Sequence, residues 1–237
     1  MTGAVDFHAH ILPRMDDGSG SVEESMAMLA LSREQGIGHV VATPHFRASR
    51  DTLEGFLEKR SRREDALREE MAKNGNLPRL SVGAEVLYFR GISECDFLDK
   101  LTISDKRCIL IEFPPAPWPE TVYRELEQIR TRQGLTPVIA HIDRYIGPFR
   151  SYGIPERLAE LPVLVQANGE FFLRKTTAAM ALKLLKADQI HLLGSDCHNM
   201  NVRKPNLGPA LQLIERKLDR DVLLRLNSYA QMLLEQE

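Results

Sequence analysis

Short runs rich in apolar and β-branched residues punctuate the chain at 4–8, 39–43, 80–86, 108–113, 137–141, 163–167 and 190–194. Runs of this length, bounded by polar and turn residues, read as strands. Several are apolar at successive positions, VVA, ILI and VLV among them, which is the pattern of a parallel strand covered on both faces. Between these runs the spacing changes to the helical period. Val22, Met26, Leu29 and Ala30 share one face of a helix over 22–35. Ser21 and Glu24 open that helix as a capping box, and Gly36 closes it in a left-handed conformation. Pro119 suits the first turn of another helix, running to about Gln133.

Seven alternations of strand and helix, with no internal repeat, low-complexity tract or long linker, predict one domain over 1–237. The expected architecture is α/β, a closed or nearly closed barrel of parallel strands with outer helices.

Composition narrows the class of partner. With 43% hydrophobic and 27% charged residues, the chain reads as a soluble globular protein. A formal net charge of −2 gives no global attraction to nucleic acid or to an anionic membrane. The stretch 47–73 holds eight basic and seven acidic residues, so it reads as a solvated helix and not a nucleic-acid patch. No basic leader precedes an apolar stretch, and no apolar run approaches the roughly 18 residues of a spanning helix, so the expected location is the cytoplasm without membrane insertion. The three cysteines, Cys95, Cys108 and Cys197, form no CxxC pair, which argues against a disulfide framework or a thiolate zinc site.

Metal-ligand residue types cluster at the downstream ends of the expected strands, the functional face of a parallel barrel. His8 and His10 end the first strand, and Asp17 follows in the loop. His45, Glu85, Glu112 and His141 follow or end the next four strands. Asp196 and His198 end the last, repeating the i, i+2 spacing that points two side chains the same way. Singly, each is a surface group or a satisfied polar core residue. Together, five imidazoles and four carboxylates without cysteine suit manganese, iron or zinc. Nine ligands are too many for one ion, so two or three divalent ions are expected. Such a cationic site suits a phosphate dianion, with a metal-bridging hydroxide attacking phosphorus in line. Arg144 and Arg203 stand on the same loops and offer planar forks matched to phosphate oxygens.

With these residues assembled, the chain resembles the PHP superfamily (polymerase and histidinol phosphatase), and within it the bacterial CpsB/CapC-type protein-tyrosine phosphatases. The matching segments are DFHAHILPRMDDGSGSVEESMAM, VVATPHF, VGAEVLY, ILIEFP, VIAHIDRY and LLGSDCHNMNVRKPNL. The resemblance implies a distorted (β/α)7 barrel, the PHP fold, and a trinuclear, usually manganese-dependent site. It implies His8, His10 and Asp196 on one metal, Glu112 and His141 on a second, and Asp17, His45 and His198 on a third, with Glu85 bridging the first two. Many PHP proteins outside this group have histidine where Asp17 stands. The implied substrate is a phosphotyrosyl protein, the C-terminal tail of a bacterial tyrosine kinase that controls capsule or exopolysaccharide export. The QANGEFF stretch departs from the family's more usual small-residue pattern.

Rival readings share parts of this pattern. Another PHP phosphoesterase, such as histidinol phosphatase, shares the ligand set, and a catalytically silent kinase-docking module is the rival outside enzymes. Cys197 and Arg203 also satisfy a Cys-x5-Arg spacing, although the intervening HNMNV has no glycine to let amides converge on phosphate. A residue between Asp196 and His198 on an extended segment points away from the metals, so Cys197 is expected to be buried filler. Phe46, Tyr88, Tyr145 and Phe149 are candidate walls for a phenyl slot.

Overall fold

Seven strand positions alternate with helices around a barrel in this computed structural model, which describes residues 3–147 and 153–235. Strand β1 (Ala4–Ala9) leads to helix α1 (Val22–Glu34). The second position is split into β2 (Ile37–Ala42) and β3 (His45–Phe46), and the third into β4 (Arg79–Val82) and β5 (Glu85–Leu87), with α2 (Leu53–Met71) between them. There follow β6 (Cys108–Glu112), α3 (Glu120–Gln133), β7 (Thr136–Ile139), α4 (Ile154–Leu158) and β8 (Leu164–Asn168). The rest is α5 (Gly169–Leu173), α6 (Ala178–Lys186), β9 (Leu192–Gly194), α7 (Leu207–Lys217) and α8 (Arg220–Glu235).

All strand pairs are parallel, in two sheets ordered β1-β2-β4 and β3-β5-β6-β7-β8-β9. The sheets run into one another. The Gly83 N–H reaches the Ala42 carbonyl and the Glu85 N–H reaches Pro44, each at 2.9 Å, carrying the ladder across both breaks. At the other edge the Asp196 N–H donates to His8 O at 2.8 Å and the His10 N–H to Cys197 O at 2.9 Å, which closes the distorted barrel.

The apolar run at 80–86 therefore forms two strands where one was expected. A Cβ at Gly83 would lie 2.9 Å from the Ile103 Cα, so only glycine lets that backbone pass, and the strand bends there. In the second position Pro44 has no N–H for the ladder. The bends turn His45, next after Pro44, and Glu85, two residues after Gly83, into the mouth.

Helix boundaries follow local chemistry. Ser21 Oγ accepts the Glu24 N–H at 3.2 Å, while the Glu24 carboxylate takes the N–H of Gly20 at 2.8 Å, one residue earlier than a capping box requires. Gly36 has φ 84°, as expected. Helix α2 starts later than the expected 47, because Thr52 caps it by accepting the Gly55 N–H at 3.2 Å. Its Glu58–Arg62 and Glu64–Arg68 pairs, both 2.7 Å, lie along a solvated face.

Both faces of the strands are buried. Cys108, Leu110, Val138 and Leu192 share one apolar cluster with Val5, Phe7 and, from α8, Ala230 and Leu233. Ile109, Ile111, Ile139, Val40 and Ala42 join a second cluster with residues of α1, α3 and α7. Burial at about 25 cal/mol per Å² of apolar surface anchors the strands and leaves their downstream ends free to carry polar groups.

Candidate active site

The strand ends bring all nine candidate ligands to one end of the barrel. His8, His10, Glu85, His141, Asp196 and His198 are buried; His45 and Glu112 are partly so. Asp17 stands at the rim with its side chain 65% exposed. Donor atoms of His8, His10 and Glu85 lie within 4.8 Å of one another, as do those of His10, Asp17, His45 and His198, and those of His45, Glu85 and Glu112. His141 Nε2 lies 2.8 Å from Glu85 Oε1 and 3.4 Å from Glu112 Oε1. Asp196 Oδ1 lies 3.7 Å from His8 Nε2 and 3.5 Å from His10 Nε2.

Glu85 sits at the centre. Its Oε2 is 3.4 Å from His8 Nε2, 3.3 Å from His10 Nε2 and 2.9 Å from His45 Nδ1. The last contact is short but lacks hydrogen-bond alignment, so Glu85 Oε2 and His45 Nδ1 are both buried without a hydrogen-bond partner, as are Asp196 Oδ1 and His198 Nε2. Buried polar atoms left unpaired are costly. Four of them converging among imidazoles and carboxylates form a donor set fit for borderline divalent cations.

The imidazoles are oriented from behind. The amide oxygen of Gln166 accepts the His141 N–H at 2.7 Å and lies 3.1 Å from His8 Nδ1. Because the peptide N–H can only donate, Oε1 is the acceptor, Nδ1 of His8 carries the proton, and Nε2 is free. His10 Nδ1 meets Asp16 Oδ2 at 2.7 Å, and His198 Nδ1 meets the Asp196 carbonyl at 3.0 Å. Tyr145 Oη accepts the Phe113 N–H at 2.8 Å and stands 3.2 Å from His141 Nδ1. With that ring N–H donating to it, all four rings turn Nε2 toward the cluster, the arrangement in which outer partners fix tautomer and basicity.

Asp16, Gln166 and Asn168, which brace candidate ligands, were not singled out as site residues from the sequence. A signal existed for Gln166, a polar residue interrupting the apolar VLVQAN run. For Asp16 it was only adjacency to Asp17.

The arginines share one carboxylate oxygen. Arg144 Nη2 and Arg203 Nη2 each lie 2.7 Å from Asp196 Oδ2, and Asn168 Nδ2 adds a third donor at 3.0 Å. Arg144 also reaches Glu112 Oε1 at 3.0 Å. Asp196 and His141 occupy left-handed backbone conformations, with φ 52° and 32°. Such strain costs about 1–3 kcal/mol per residue and persists where surrounding contacts enforce it. A cavity of about 820 Å³ opens beside the arginines, with Pro115 and Phe171 in its wall.

Charge coupling is strong. Burial disfavours a cationic His10, but Asp16 and Glu85 more than offset this and raise its pKa to about 10. Burial likewise opposes a charged His141, yet Glu112 and Glu85 raise it to about 9. His198 is depressed to about 4 by burial and by the facing His10. Burial opposes ionisation of Glu85, but His8, His10, His141 and His45 hold it well below the ordinary range.

Cys197 is 1% exposed within an apolar cluster, and burial pushes its thiol far up. It cannot be the thiolate of a Cys-x5-Arg phosphatase. The aromatic expectations divide. Phe46 is buried edge-on between Phe56 and Phe97, with centroids at 5.1 and 6.2 Å, and is no slot wall, because strand alternation turns it away from His45. Tyr145 is spent on His141, Tyr88 stacks on Phe113 at 5.1 Å, and Phe149 lies outside the described residues.

Comparison with known proteins agrees over nearly the whole chain. A family model described as "Capsular polysaccharide synthesis, CpsB/CapC" matches residues 4–234. The tyrosine-protein phosphatase CpsB of Streptococcus pneumoniae is 32% identical over 233 residues, covering 90% of each chain. The tyrosine-protein phosphatase YwqE of Bacillus subtilis is 29% identical over 236 residues, covering 97% of this chain and 91% of that protein. Among solved structures, work on YwqE from B. subtilis and CpsB from S. pneumoniae, described as unique metal-dependent tyrosine phosphatases, superposes with TM-score 0.83. Identity there is 26%, and the match covers 98% of this chain and 95% of that one. The L-hydantoinase of Arthrobacter aurescens, 13% identical with TM-score 0.56 over 99% of this chain and 71% of that one, shares the fold alone.

Proposed function

The chain belongs to the CpsB/CapC family, and we propose that it is a metal-dependent phosphatase of phosphotyrosyl proteins. One observation carries this reading: unpaired buried atoms of Glu85, Asp196, His45 and His198 converge beside two guanidinium groups. A cation-binding cluster flanked by arginine forks is complementary to a phosphate ester.

In this reading His8, His10 and Asp196 hold one ion, Glu112 and His141 a second, and Asp17, His45 and His198 a third, with Glu85 shared. The grouping of His10, Asp17, His45 and His198 supports the third set, and that of His8, His10 and Glu85 the first. The 2.9 Å approach of His45 to Glu85 extends the sharing toward the third set. Manganese is the occupant we propose, with iron and zinc as alternatives. When bound, divalent ions there supply Lewis acidity that lowers the pKa of water and neutralises phosphoryl oxygens.

The chain's own residues do the rest. Arg144 and Arg203 take the phosphate oxygens, exchanging part of their hold on Asp196 Oδ2 for the substrate. Asn168 retains its hydrogen bond to that oxygen, so Asp196 keeps its orientation. Glu112 and Asp196 hold the Arg144 guanidinium flat between them, presetting its fork. A tyrosyl phenolate, with a pKa of about 10, leaves without a dedicated acid.

The substrate we propose is the phosphorylated tail of a bacterial tyrosine kinase governing capsule or exopolysaccharide export. A cytoplasmic location fits that substrate, and no helix among the described residues is long and apolar enough to cross a membrane. The test is hydrolysis of a phosphotyrosyl peptide and of histidinol phosphate before chelation, after it, and after adding back manganese, iron or zinc. The peptide is expected to be preferred and its hydrolysis lost on chelation; a rate indifferent to chelator sinks the reading.

A further inference from the structure

Beyond the two arginines, the 820 Å³ cavity continues between the turn after α5 and the loop before α7. Its volume lies high in the range of about 300–1,000 Å³ that encloses whole small ligands, so one phosphorylated aromatic side chain leaves much of it open. That outer part carries two further cations, Arg174 and Lys204, both exposed.

One of the two is paired through a single nitrogen, and the other has no acidic partner among the described residues. Glu170 engages Arg174 through Nε alone, at 2.9 Å. Lys204 has no ion pair among the described residues. Of the other acids in the lining, Asp143 is turned to the Asn168 N–H at 2.9 Å and Asp196 is already held by both arginines.

Lys204 also stands on a fixed base. Asn199 Oδ1 accepts the N–H groups of Asn201, Val202 and Arg203 at 3.0, 2.8 and 3.1 Å. The Arg203 carbonyl accepts the His198 N–H at 2.9 Å, and the Pro205 carbonyl accepts Gln35 Nε2 at 2.8 Å. Both ends of the loop are thereby pinned, so the backbone that carries Lys204 is fixed beside Arg203.

We propose that Arg174 and Lys204 form a second anion subsite, which binds a negatively charged group carried by the substrate beside its phosphotyrosine. The subsite rests on the phosphatase reading above. Its chemistry is met equally by a carboxylate side chain or by a second phosphate.

Kinetics on the full chain test it, using p-nitrophenyl phosphate and three phosphotyrosyl peptides. One peptide has neutral flanks, one glutamate flanks, and one a neighbouring non-hydrolysable phosphonate analogue of phosphotyrosine. The unaltered chain is expected to favour one or both charged peptides over the neutral one by about tenfold in kcat/KM, through KM, with the advantage shrinking in high salt. A gain with glutamate assigns the subsite to carboxylates, and a gain with the phosphonate assigns it to phosphate. The double variant R174E/K204E is expected to erase the advantage while p-nitrophenyl phosphate turnover stays within about twofold, since both side chains lie at the exposed rim. No preference in the unaltered chain, or an equal loss on all four substrates, overturns the subsite alone. Absence of any phosphotyrosyl hydrolysis by the unaltered chain overturns the phosphatase reading and the subsite with it.

Discussion

The side-chain oxygen of Gln166 accepts the backbone N–H of His141 at 2.7 Å. That bond holds a residue at φ 32°, while the same oxygen fixes the tautomer of His8 and the amide nitrogen reaches Asn168 Oδ1 at 3.1 Å. One buried amide thus ties together groups from three strand ends. Gln166→Leu keeps the volume and removes all three ties. Metal affinity is expected to fall about 10–100-fold, the usual effect of losing an outer partner of a ligand. Calorimetric titration of manganese into chelator-treated chain measures this, and unaltered affinity in a folded variant would refute the positioning role.

Arg203 and Cys197 separate two chemistries with two substitutions. Arg203→Met should lower kcat/KM for phosphotyrosyl peptide by about 10²–10³-fold at saturating manganese, the scale of losing one charge-assisted donor to a developing oxyanion. Cys197→Ser should leave kcat within about twofold and cost on the order of 1 kcal/mol of stability for a hydroxyl in an apolar niche. Loss of activity in the serine variant would revive the thiolate reading.

Metal uptake should release protons. His10 and His141 have pKa values raised to about 10 and about 9, so without an ion both rings hold a proton at neutral pH. A bound cation must displace those protons, and its apparent affinity is therefore expected to rise with pH up to that range, about tenfold per pH unit for each proton released. Titrations in two buffers of different ionisation enthalpy count the protons; a count of zero contradicts the coupling.

Away from the site, His39 reports on pH through stability. Burial, aided by Arg79, lowers its pKa from 6.5 to about 4, and it meets Ser81 Oγ at 2.8 Å. The unfolded chain takes up a proton there first as pH falls. Stability is therefore full above the unfolded value and declines as pH drops from about 6.5 toward 4, by on the order of 2–3 kcal/mol between pH 7 and 4.5. In urea denaturation at those two pH values, His39→Gln should show that much less acid sensitivity than the unaltered chain.

The nine strand-end residues were legible because a parallel barrel gathers downstream ends whatever the intervening loops do. Their supports were not. Gln166 meets His8 across 158 residues, and sequence shows a polar interruption without its partner. The break between β4 and β5 depends on Ile103 pressing on Gly83, and SVGAEV alone reads as one strand. In the DDG loop, nothing local distinguishes Asp16, turned inward to His10, from Asp17 at the rim. Phe46 could have been read correctly from strand alternation with His45.

Closure of the barrel has a consequence in time. His8 and His10 are made well before Asp196 and His198, the residues they meet across the closing seam. The bond from the Ser195 N–H to Asp6 Oδ1 spans 189 residues, a contact of the kind that forms late in folding. Until that seam zips, His8 and His10 lack Asp196, one of the two carboxylates that meet both of their Nε2 atoms. The complete ring of nine candidate ligands is therefore assembled only when the seam between β1 and the segment after β9 forms.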